Sequence, residues 1–195
     1  MRNFIYDMVP CSDLEVEAKM QSPTFVQVNY ADHKDEIFAI SMEYFEWMSN
    51  EIESLCNLPV FELVGQPLDQ YVEGTVKTVY SGVPPEGVFY LMQKAGTTVG
   101  SGGLRRLPDG SAEIVRIFTR QQFRGRGYGR QLMARLLSDA QDFGYGNVKL
   151  DTGAFMSSAH RIYEACGFED CEPYEGAEPP PQLIPHWRYM SKYIG

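Results

Sequence analysis

A loop rich in glycine and arginine joins an apolar strand pattern to a strongly amphipathic helix pattern. Three glycines, Gly125, Gly127 and Gly129, lie in the run IFTRQQFRGRGYGRQLMARLL. Such a loop can turn several backbone N–H groups toward one anion, and the N-terminus of the helix that follows adds its partial positive charge. The loop therefore predicts a binding site for a phosphate or pyrophosphate group.

Four interpretations of this loop differ in the ligand that they imply. A Walker A loop is excluded, because no Gly-Lys-Ser or Gly-Lys-Thr closes the motif. A Rossmann site could use Asp151 for the ribose, but the spacing here is G-x-G-x-G and three meandering strands come first. A methyltransferase motif and a plain strand-to-helix turn stay open. Arg124, Arg126 and Arg130 surround the glycines and favour a pyrophosphate, for which coenzyme A is the common source that remains.

The charge of the chain also favours a small anionic ligand. The formal net charge is -9 over 195 residues, whereas nucleic-acid binding depends on clustered Lys and Arg side chains that release counterions. A short arginine-rich stretch nevertheless contains Arg116, Arg120, Arg124, Arg126, Arg130 and Arg135. A basic stretch inside an acidic protein predicts a small anionic ligand and no nucleic-acid partner.

Signals for secretion and membrane attachment are not recognisable in the sequence. Asp7 and Pro10 interrupt the apolar run that a secretory signal needs, and no apolar stretch approaches the length of a membrane-spanning helix. Four cysteines without a C-x-x-C pair indicate reduced thiols: Cys11, Cys56, Cys166 and Cys171. Three histidines lack metal-ligand spacing: His33, His160 and His186. We expect a cytoplasmic protein with no membrane partner and no metal.

The hydrophobic periodicity of the first half predicts a strand, two helices and a three-stranded meander. The strand covers 25–31, and Asp32 is the predicted N-cap of a helix over 35–55. A second helix is predicted over 67–80, after a break at Asn57-Leu-Pro59. Turns at 94–96 and 108–110 then separate three consecutive strands, of which the last covers 112–119.

The second half alternates helices and strands. The helix after the glycine loop ends at Gly144, and a strand follows at 148–151. Ser157 or Ser158 is predicted to cap a short helix, and residues 186–194 form a closing strand. These elements indicate an α/β (α+β) fold, with an N-terminal extension at 1–23 and a single domain over 24–195.

Two short motifs on either side of the strand at 148–151 carry a family resemblance. Gln122-Phe-Arg-Gly125-Arg-Gly127 matches the signature Q/R-x-x-G-x-G/A, and the segment from Ala159 to Phe168 matches A-x-x-x-Y-x-x-x-G-F. Together they resemble the GNAT superfamily of acetyl-CoA-dependent N-acetyltransferases. The resemblance implies a mixed, largely antiparallel twisted sheet of six to seven strands, flanked by helices and splayed at the cofactor site.

The same resemblance implies that acetyl-CoA is the co-substrate and nominates the residues that bind it. Backbone N–H groups of Ile117, Phe118 and Thr119 are expected to bind the thioester carbonyl. The pyrophosphate is expected on Arg124, Gly125, Arg126, Gly127, Tyr128, Gly129 and Arg130. Many relatives hold the pantetheine arm with an Asn three residues before the Ala of the second motif. This chain has Met156 there, and Ser157 and Ser158 are expected to substitute.

Two residues are candidates for proton transfer. Glu113 resembles the general base of the histone acetyltransferases in the superfamily, and strand alternation places it on the face of Val115 and Ile117, where burial would raise its pKa. The alternative is a solvated ion-pair partner beside Arg116. Tyr163 matches the family tyrosine that protonates the departing thiolate, and its alternative is a tyrosine packed on a helix face.

The resemblance implies direct transfer of the acetyl group to a primary amine, in a small molecule. Acidic residues in the first helix fit a cationic amine, and they fit a solvated helix face equally well: Glu43, Glu46, Glu51 and Glu53. A coenzyme-binding regulatory module without catalysis and a protein or peptide lysine acetyltransferase are the alternatives. Transfer through a covalent intermediate on Cys166 is a less favoured alternative to direct transfer. A homodimer is common in the family, and nothing in the sequence requires it.

Overall fold

The computed structural model of the protein describes residues 22–57, 59–79 and 82–195. Residues 1–21 lie outside this description, so the predicted extension at 1–23 and Cys11 fall almost wholly outside it. None of the helices in the three described ranges combines the length and apolar character needed to cross a lipid bilayer.

Seven strands of the described residues form one sheet in the order β1-β2-β3-β4-β5-β7-β6. Every neighbouring pair is antiparallel except β4 and β5, which are parallel. The strands are β1 (Thr24–Gln27), β2 (Gly87–Lys94), β3 (Thr97–Arg106), β4 (Ala112–Thr119), β5 (Asn147–Gly153), β6 (Glu169–Asp170) and β7 (Trp187–Tyr193). The predicted mixed, largely antiparallel sheet is therefore confirmed, and so is the closing strand.

Five α-helices in the described ranges flank the sheet. They are α1 (Tyr30–Cys56), α2 (Val60–Val64), α3 (Leu68–Val79), α4 (Tyr128–Asp142) and α5 (Ser157–Ala165). One apolar cluster packs α4 and α5 against one face of the sheet, and a second packs α1 and α3 against the other. The short α2 was not predicted, because five residues are too few to show a helical period.

The predicted caps of two helices are wrong. Asn29 caps α1, because its backbone is extended and its Oδ1 accepts a hydrogen bond from Ala31 N at 2.9 Å. Asp32 lies inside the first turn, where its charge complements the helix dipole. Met156 is the N-cap residue of α5 and makes no side-chain cap, so Ser157 and Ser158 are the first helical residues.

The predicted turns are confirmed at positions where the backbone adopts a left-handed conformation. The β2–β3 hairpin turns at Ala95 and Gly96, with φ values of 48° and 75°. Asn57 ends α1 with a φ of 51°, at the predicted break. Gly144, with a φ of 82°, follows α4 as predicted, since a residue with a Cβ would be strained there.

A bulge and a splay in β4 open the centre of the sheet. Strand β4 pairs with β5 at two positions, Ala112 and Glu113, and the two strands then separate. Gly103 pairs with Val115 and Ser101 with Phe118, so two β4 residues lie opposite Gly102. Beyond Glu113, the edge of β4 that faces β5 is free of ladder hydrogen bonds to that strand.

The bulge changes the face on which the β4 side chains lie. Arg116 has a φ of 54°, and Ile114 and Ile117 both pack against the apolar cluster of α4 and α5. Glu113 alternates with Ile114 and therefore lies on the opposite face from Ile117. The prediction that Glu113 and Ile117 share a face is wrong, because the extra residue at the bulge interrupts the period of two.

Candidate active site

The separation of β4 from β5 leaves a groove with a cavity volume of about 630 Å³. Its walls come from α1, β4, the glycine loop, α4 and α5. All the predicted coenzyme-binding residues except Arg126 line it: Ile117, Phe118, Thr119, Arg124, Gly125, Gly127, Tyr128, Gly129, Arg130, Ser157 and Ser158. The structure thus brings two sequence motifs and the bulged strand to one surface.

The glycine loop ends in the first turn of α4. Gly125 and Gly127 both have a φ of 78°, and Gly127 is the N-cap residue of the helix. Residues with a Cβ rarely adopt this conformation, which explains why the loop needs glycine. The first N–H groups of a helix have no intrahelical acceptor, so the start of α4 offers donors and a positive dipole end to an anion in the groove.

The side chains of the three arginines in the loop point in different directions. The guanidinium of Arg124 lies 5.0 Å from the centre of the Trp47 ring, and its Nε donates to the carbonyl of Thr119 at 3.1 Å. Arg130 lines the groove from the first turn of α4. Arg126 stacks over Phe123 instead, at 5.4 Å. Arg124 and Arg130 are therefore the loop cations that face the groove.

A second, smaller cavity of about 70 Å³ lies between α1, α2, α3 and the loop before β7. Aromatic and aliphatic side chains form most of its wall, including Tyr44, Tyr71, Ile52 and Leu183. Two carboxylates, Asp151 and Glu178, also line it. The cavity is therefore apolar with an acidic end.

Aromatic rings separate the small cavity from the groove. Trp47, Phe118 and Phe155 line the groove, whereas Tyr44 and Trp187 line the small cavity. The Phe155 ring lies 5.9 Å from both Trp47 and Trp187, and Tyr44 lies 5.7 Å from Phe118. These five rings, named here the ring partition, lie between the two cavities.

Glu113 is completely buried in an ion pair with Arg105. Arg105 Nε donates to Glu113 Oε2 at 2.6 Å, and the Tyr174 hydroxyl donates to Oε1 at 2.8 Å. Burial raises the pKa of Glu113 to about 7, although the Arg105 charge opposes the rise. Glu113 lines neither cavity, and it is neither solvated nor paired with Arg116, which contacts Glu178 at 3.4 Å.

Tyr163 lies in the apolar core beneath the groove. Its side chain is buried and packs on Phe168, with ring centres 6.3 Å apart. Burial, and then the charge of Asp151, raises the pKa of its hydroxyl above the usual value. Ala159 and Ile162, on the same helix, line the groove, but Tyr163 itself does not.

Asp151 is a further candidate for a functional residue, and the sequence did not indicate its surroundings. Trp187 Nε1 donates to its Oδ1 at 2.8 Å, and the backbone N–H of Glu178 donates to Oδ2 at 3.4 Å. Burial, and then the Glu178 charge, raises the pKa of Asp151 to about 6. In the sequence, Asp151 stood out only as a ribose-binding candidate. The sequence signal that could have indicated this site was the position of Asp151 on β5, the strand that runs parallel to β4.

The acidic residues of α1 lie outside the small cavity. Glu43 pairs with Arg120 at 2.7 Å, Glu53 accepts from Val60 N at 3.4 Å, and Glu51 lines the groove. Glu46 is exposed. None of these four carboxylates lines the small cavity, to which the helix presents Tyr44, Phe45 and Met48, so these positions favour the alternative of a solvated helix face.

Comparison with known proteins identifies the family. The profile described as Acetyltransferase (GNAT) family matches residues 42–168. The Uncharacterized N-acetyltransferase YsnE of Bacillus subtilis (strain 168) is 29% identical over 112 residues, which cover 56% of this chain and 72% of that protein. The Probable N-acetyltransferase family 8 member 5 of Mus musculus is 31% identical over 117 residues, 55% of this chain and about half, 52%, of the mouse protein.

Solved structures share the fold. An acetyltransferase of the GNAT family from Staphylococcus aureus Mu50 aligns with a TM-score of 0.66 and 17% identity, over 89% of this chain and 100% of that one. A GNAT family acetyltransferase from Elizabethkingia anophelis, with acetyl-CoA bound, aligns with a TM-score of 0.50 and 16% identity, over 63% and 83%. The profile match covers more than half of this sequence, and the chain belongs to the GNAT acetyltransferase family.

Proposed function

We propose that the protein transfers the acetyl group of acetyl-CoA directly to a primary amine of a small molecule. The groove at the β4–β5 splay is the observation that carries this proposal. It combines a volume of about 630 Å³ with a helix N-terminus, two glycines in left-handed conformation and two inward-facing arginines of the glycine loop. Pyrophosphate binding requires this chemistry, and a relative of the same fold is known with acetyl-CoA bound.

The residues of the groove have separate tasks in this proposal. Arg124, Arg130 and the N–H groups of the glycine loop hold the pyrophosphate, and Ser157 and Ser158 contact the pantetheine arm in place of the missing amide. The backbone of Ile117, Phe118 and Thr119 polarises the thioester carbonyl, because β5 leaves this part of β4 unpaired. Holding both reactants at the splay supplies the remaining rate increase.

An enclosed acceptor space supports a small molecule over a peptide. The small cavity is lined by three helices and the loop at 178–187, and the ring partition lies between its inner end and the groove. A lysine side chain of a folded protein requires an open surface groove instead. The predicted homodimer and the predicted cytoplasmic location stay predictions.

Calorimetric titration with acetyl-CoA, followed by a thiol-release assay with a panel of amines, tests this function. We expect micromolar affinity for acetyl-CoA and turnover with at least one small primary amine. Binding without turnover on any amine, lysine peptides included, would favour the regulatory module. Affinity for S-adenosylmethionine in place of acetyl-CoA would favour a methyltransferase and contradict the proposal.

Tyr163→Phe is expected to lower kcat by about 10-fold to 100-fold while the Kd for acetyl-CoA stays within about twofold. The raised pKa keeps the phenol protonated throughout the neutral range and also weakens it as an acid, so Tyr163 gives its proton to the leaving thiolate as it takes one from the attacking nitrogen. Pre-steady-state thiol release measures the effect. Tyr193→Phe, at an exposed tyrosine of β7, is the control and is expected to have no effect. Unchanged kcat in Tyr163→Phe would remove this residue from the mechanism.

A further inference from the structure

We propose that Asp151 binds and deprotonates the acceptor, and that the acceptor is a primary amine with a small apolar tail that occupies the small cavity. This inference rests on the transferase function proposed above and adds to it a base and a substrate class. It reassigns the role of general base from Glu113, which is sealed in the core.

The position of Asp151 across the splay is the first argument. Asp151 lies on β5, and Arg116 lies at the bulge of β4 where the two strands have separated. Glu178 connects them, since its backbone N–H donates to Asp151 and its carboxylate contacts Arg116 at 3.4 Å. Asp151 is therefore linked through Glu178 to the bulge residue that immediately precedes the strand segment expected to bind the thioester.

The hydrogen-bond partners of Asp151 carry no charge that would compete with a bound cation. Its two donors, the Trp187 indole and the Glu178 backbone, are neutral. The neighbouring carboxylate of Glu178 already has Arg116 as its ion-pair partner. Among the described side chains that line the cavity, none is Lys, Arg or His. An ammonium group would therefore find one acidic residue, Asp151, that forms no ion pair with a described side chain.

The rest of the cavity selects the tail of the amine. Ile52, Val60, Leu63 and Leu183 line it, with aromatic faces from Tyr44 and Tyr71. Away from Asp151 and Glu178, a second charge or several hydroxyl groups would face a mostly apolar wall, which costs free energy. The volume of about 70 Å³ limits the tail to a few carbon atoms unless the walls move.

Several titratable groups surround Asp151 and shape its pH response. They come from α1 (Tyr44), α5 (Tyr163), β7 (Tyr189), the loop after β6 (Tyr174, Glu178) and strands β3 and β4 (Arg105, Glu113). The Glu178 charge raises the pKa of Asp151, and Arg105 lowers it with a smaller effect. The tyrosines stay neutral in the working range, so Glu113, Glu178 and the arginines set the local field.

The proton balance of the reaction is complete with these residues. Asp151 takes one proton from the ammonium, whose charged form the ionised carboxylate favours and the apolar walls disfavour. The free amine attacks the thioester carbonyl carbon, a C–N bond forms and the C–S bond breaks. The departing thiolate receives the second nitrogen proton by way of Tyr163, and the third stays on the amide. Asp151 then releases its proton to solvent.

Asp151→Asn tests the base. We expect kcat/KM for n-pentylamine to fall at least about 100-fold, with the Kd for acetyl-CoA within about twofold of wild type. Wild-type kcat/KM should rise with pH through an apparent pKa near 6 and then level, because the ionised carboxylate is the active form. This rise should be absent from Asp151→Asn. Asp142→Asn, an exposed aspartate at the end of α4, is the matched control.

Val60→Phe tests the cavity. The larger ring would fill space beside Asp151, so KM for n-pentylamine should increase at least about 10-fold. Val83→Phe is the same substitution at a residue that is 66% exposed, and it should change nothing. Trp47 and Trp187, the two tryptophans of the chain, both belong to the ring partition. The fluorescence response to n-pentylamine should therefore be present in wild type and lost in Val60→Phe.

The outcomes separate this inference from the proposed function. Acetyl-CoA binding and amine turnover with an unchanged Asp151→Asn variant would overturn the role of Asp151 and leave the transferase intact. Equal or greater kcat/KM for 1,4-diaminobutane than for n-pentylamine would overturn the apolar class. Failure of the wild type to bind acetyl-CoA would overturn both. The acetyl-CoA titration of Asp151→Asn shows whether a loss of activity arises from unfolding.

Discussion

Replacing Gly129 by tryptophan is expected to weaken acetyl-CoA binding at least about 100-fold, or about 2.8 kcal/mol. A Cβ at this position would lie 3.4 Å from Ile162 Cδ1 and 4.0 Å from Thr119 Oγ1, two residues that line the groove. The indole would therefore project into the space for the coenzyme. Gly129 has no left-handed strain, so the substitution acts through volume rather than through backbone conformation. Calorimetric titration measures the loss.

The matched control is Gly74→Trp. Gly74 lies in α3 with open space around its missing Cβ, so the same change in size leaves the groove untouched. Equal Kd values for Gly129→Trp and wild type would refute the assignment of the groove to the coenzyme. Circular dichroism of both variants separates a blocked groove from an unfolded protein.

Replacing Arg105 by methionine is expected to destabilise the protein increasingly above pH 7. The folded pKa of Glu113 is about 7, raised from 4.5, so its contribution to stability is full below pH 4.5 and is lost as pH rises to 7. Without Arg105, the pKa of Glu113 in the folded state rises further, so the protein continues to lose stability as the pH rises above 7. The variant should lose an additional ~1.4 kcal/mol for each pH unit above 7, which reaches ~2.8 kcal/mol at pH 9.

Urea denaturation between pH 6 and pH 9 checks this expectation. Arg106→Met is the control, because the neighbouring arginine pairs with Glu86 at the surface, where both side chains are more than half exposed. Exposed pairs contribute at most about 1 kcal/mol, with little dependence on pH in this range. A pH-independent loss in Arg105→Met would show that Glu113 is ionised well below pH 7.

The buried ion pair of Glu113 and Arg105 has a structural role, which is distinct from catalysis. Arg105 donates from Nη2 to the carbonyl of Gly176 at 2.6 Å, and Tyr174 donates to Glu113, so the pair anchors the loop after β6. That loop continues to Glu178, which contacts Asp151. The ion pair thus gives the buried Glu113 a structural role, and Glu113 lines neither cavity.

The sequence by itself determined the features that rest on short-range patterns. The glycine loop, the hairpin at Ala95 and Gly96, and the end of α4 at Gly144 all follow from backbone conformations that only certain residues adopt easily. Alternation and helical period predicted most strands and helices, because one face of each must be buried. The two motifs were sufficient to indicate the family and the cofactor groove.

Tertiary structure decided what depends on register and on contacts between distant segments. The bulge at Arg116 reversed the side-chain alternation of β4 and moved Glu113 away from the face of Ile117, which a period of two could not reveal. Asp151 reached an acidic, apolar cavity through contacts with Glu178 and Trp187, separated from it by 27 and 36 residues. Local sequence fixes the conformation of a loop, but the packing of remote segments sets the burial, and hence the pKa, of a carboxylate.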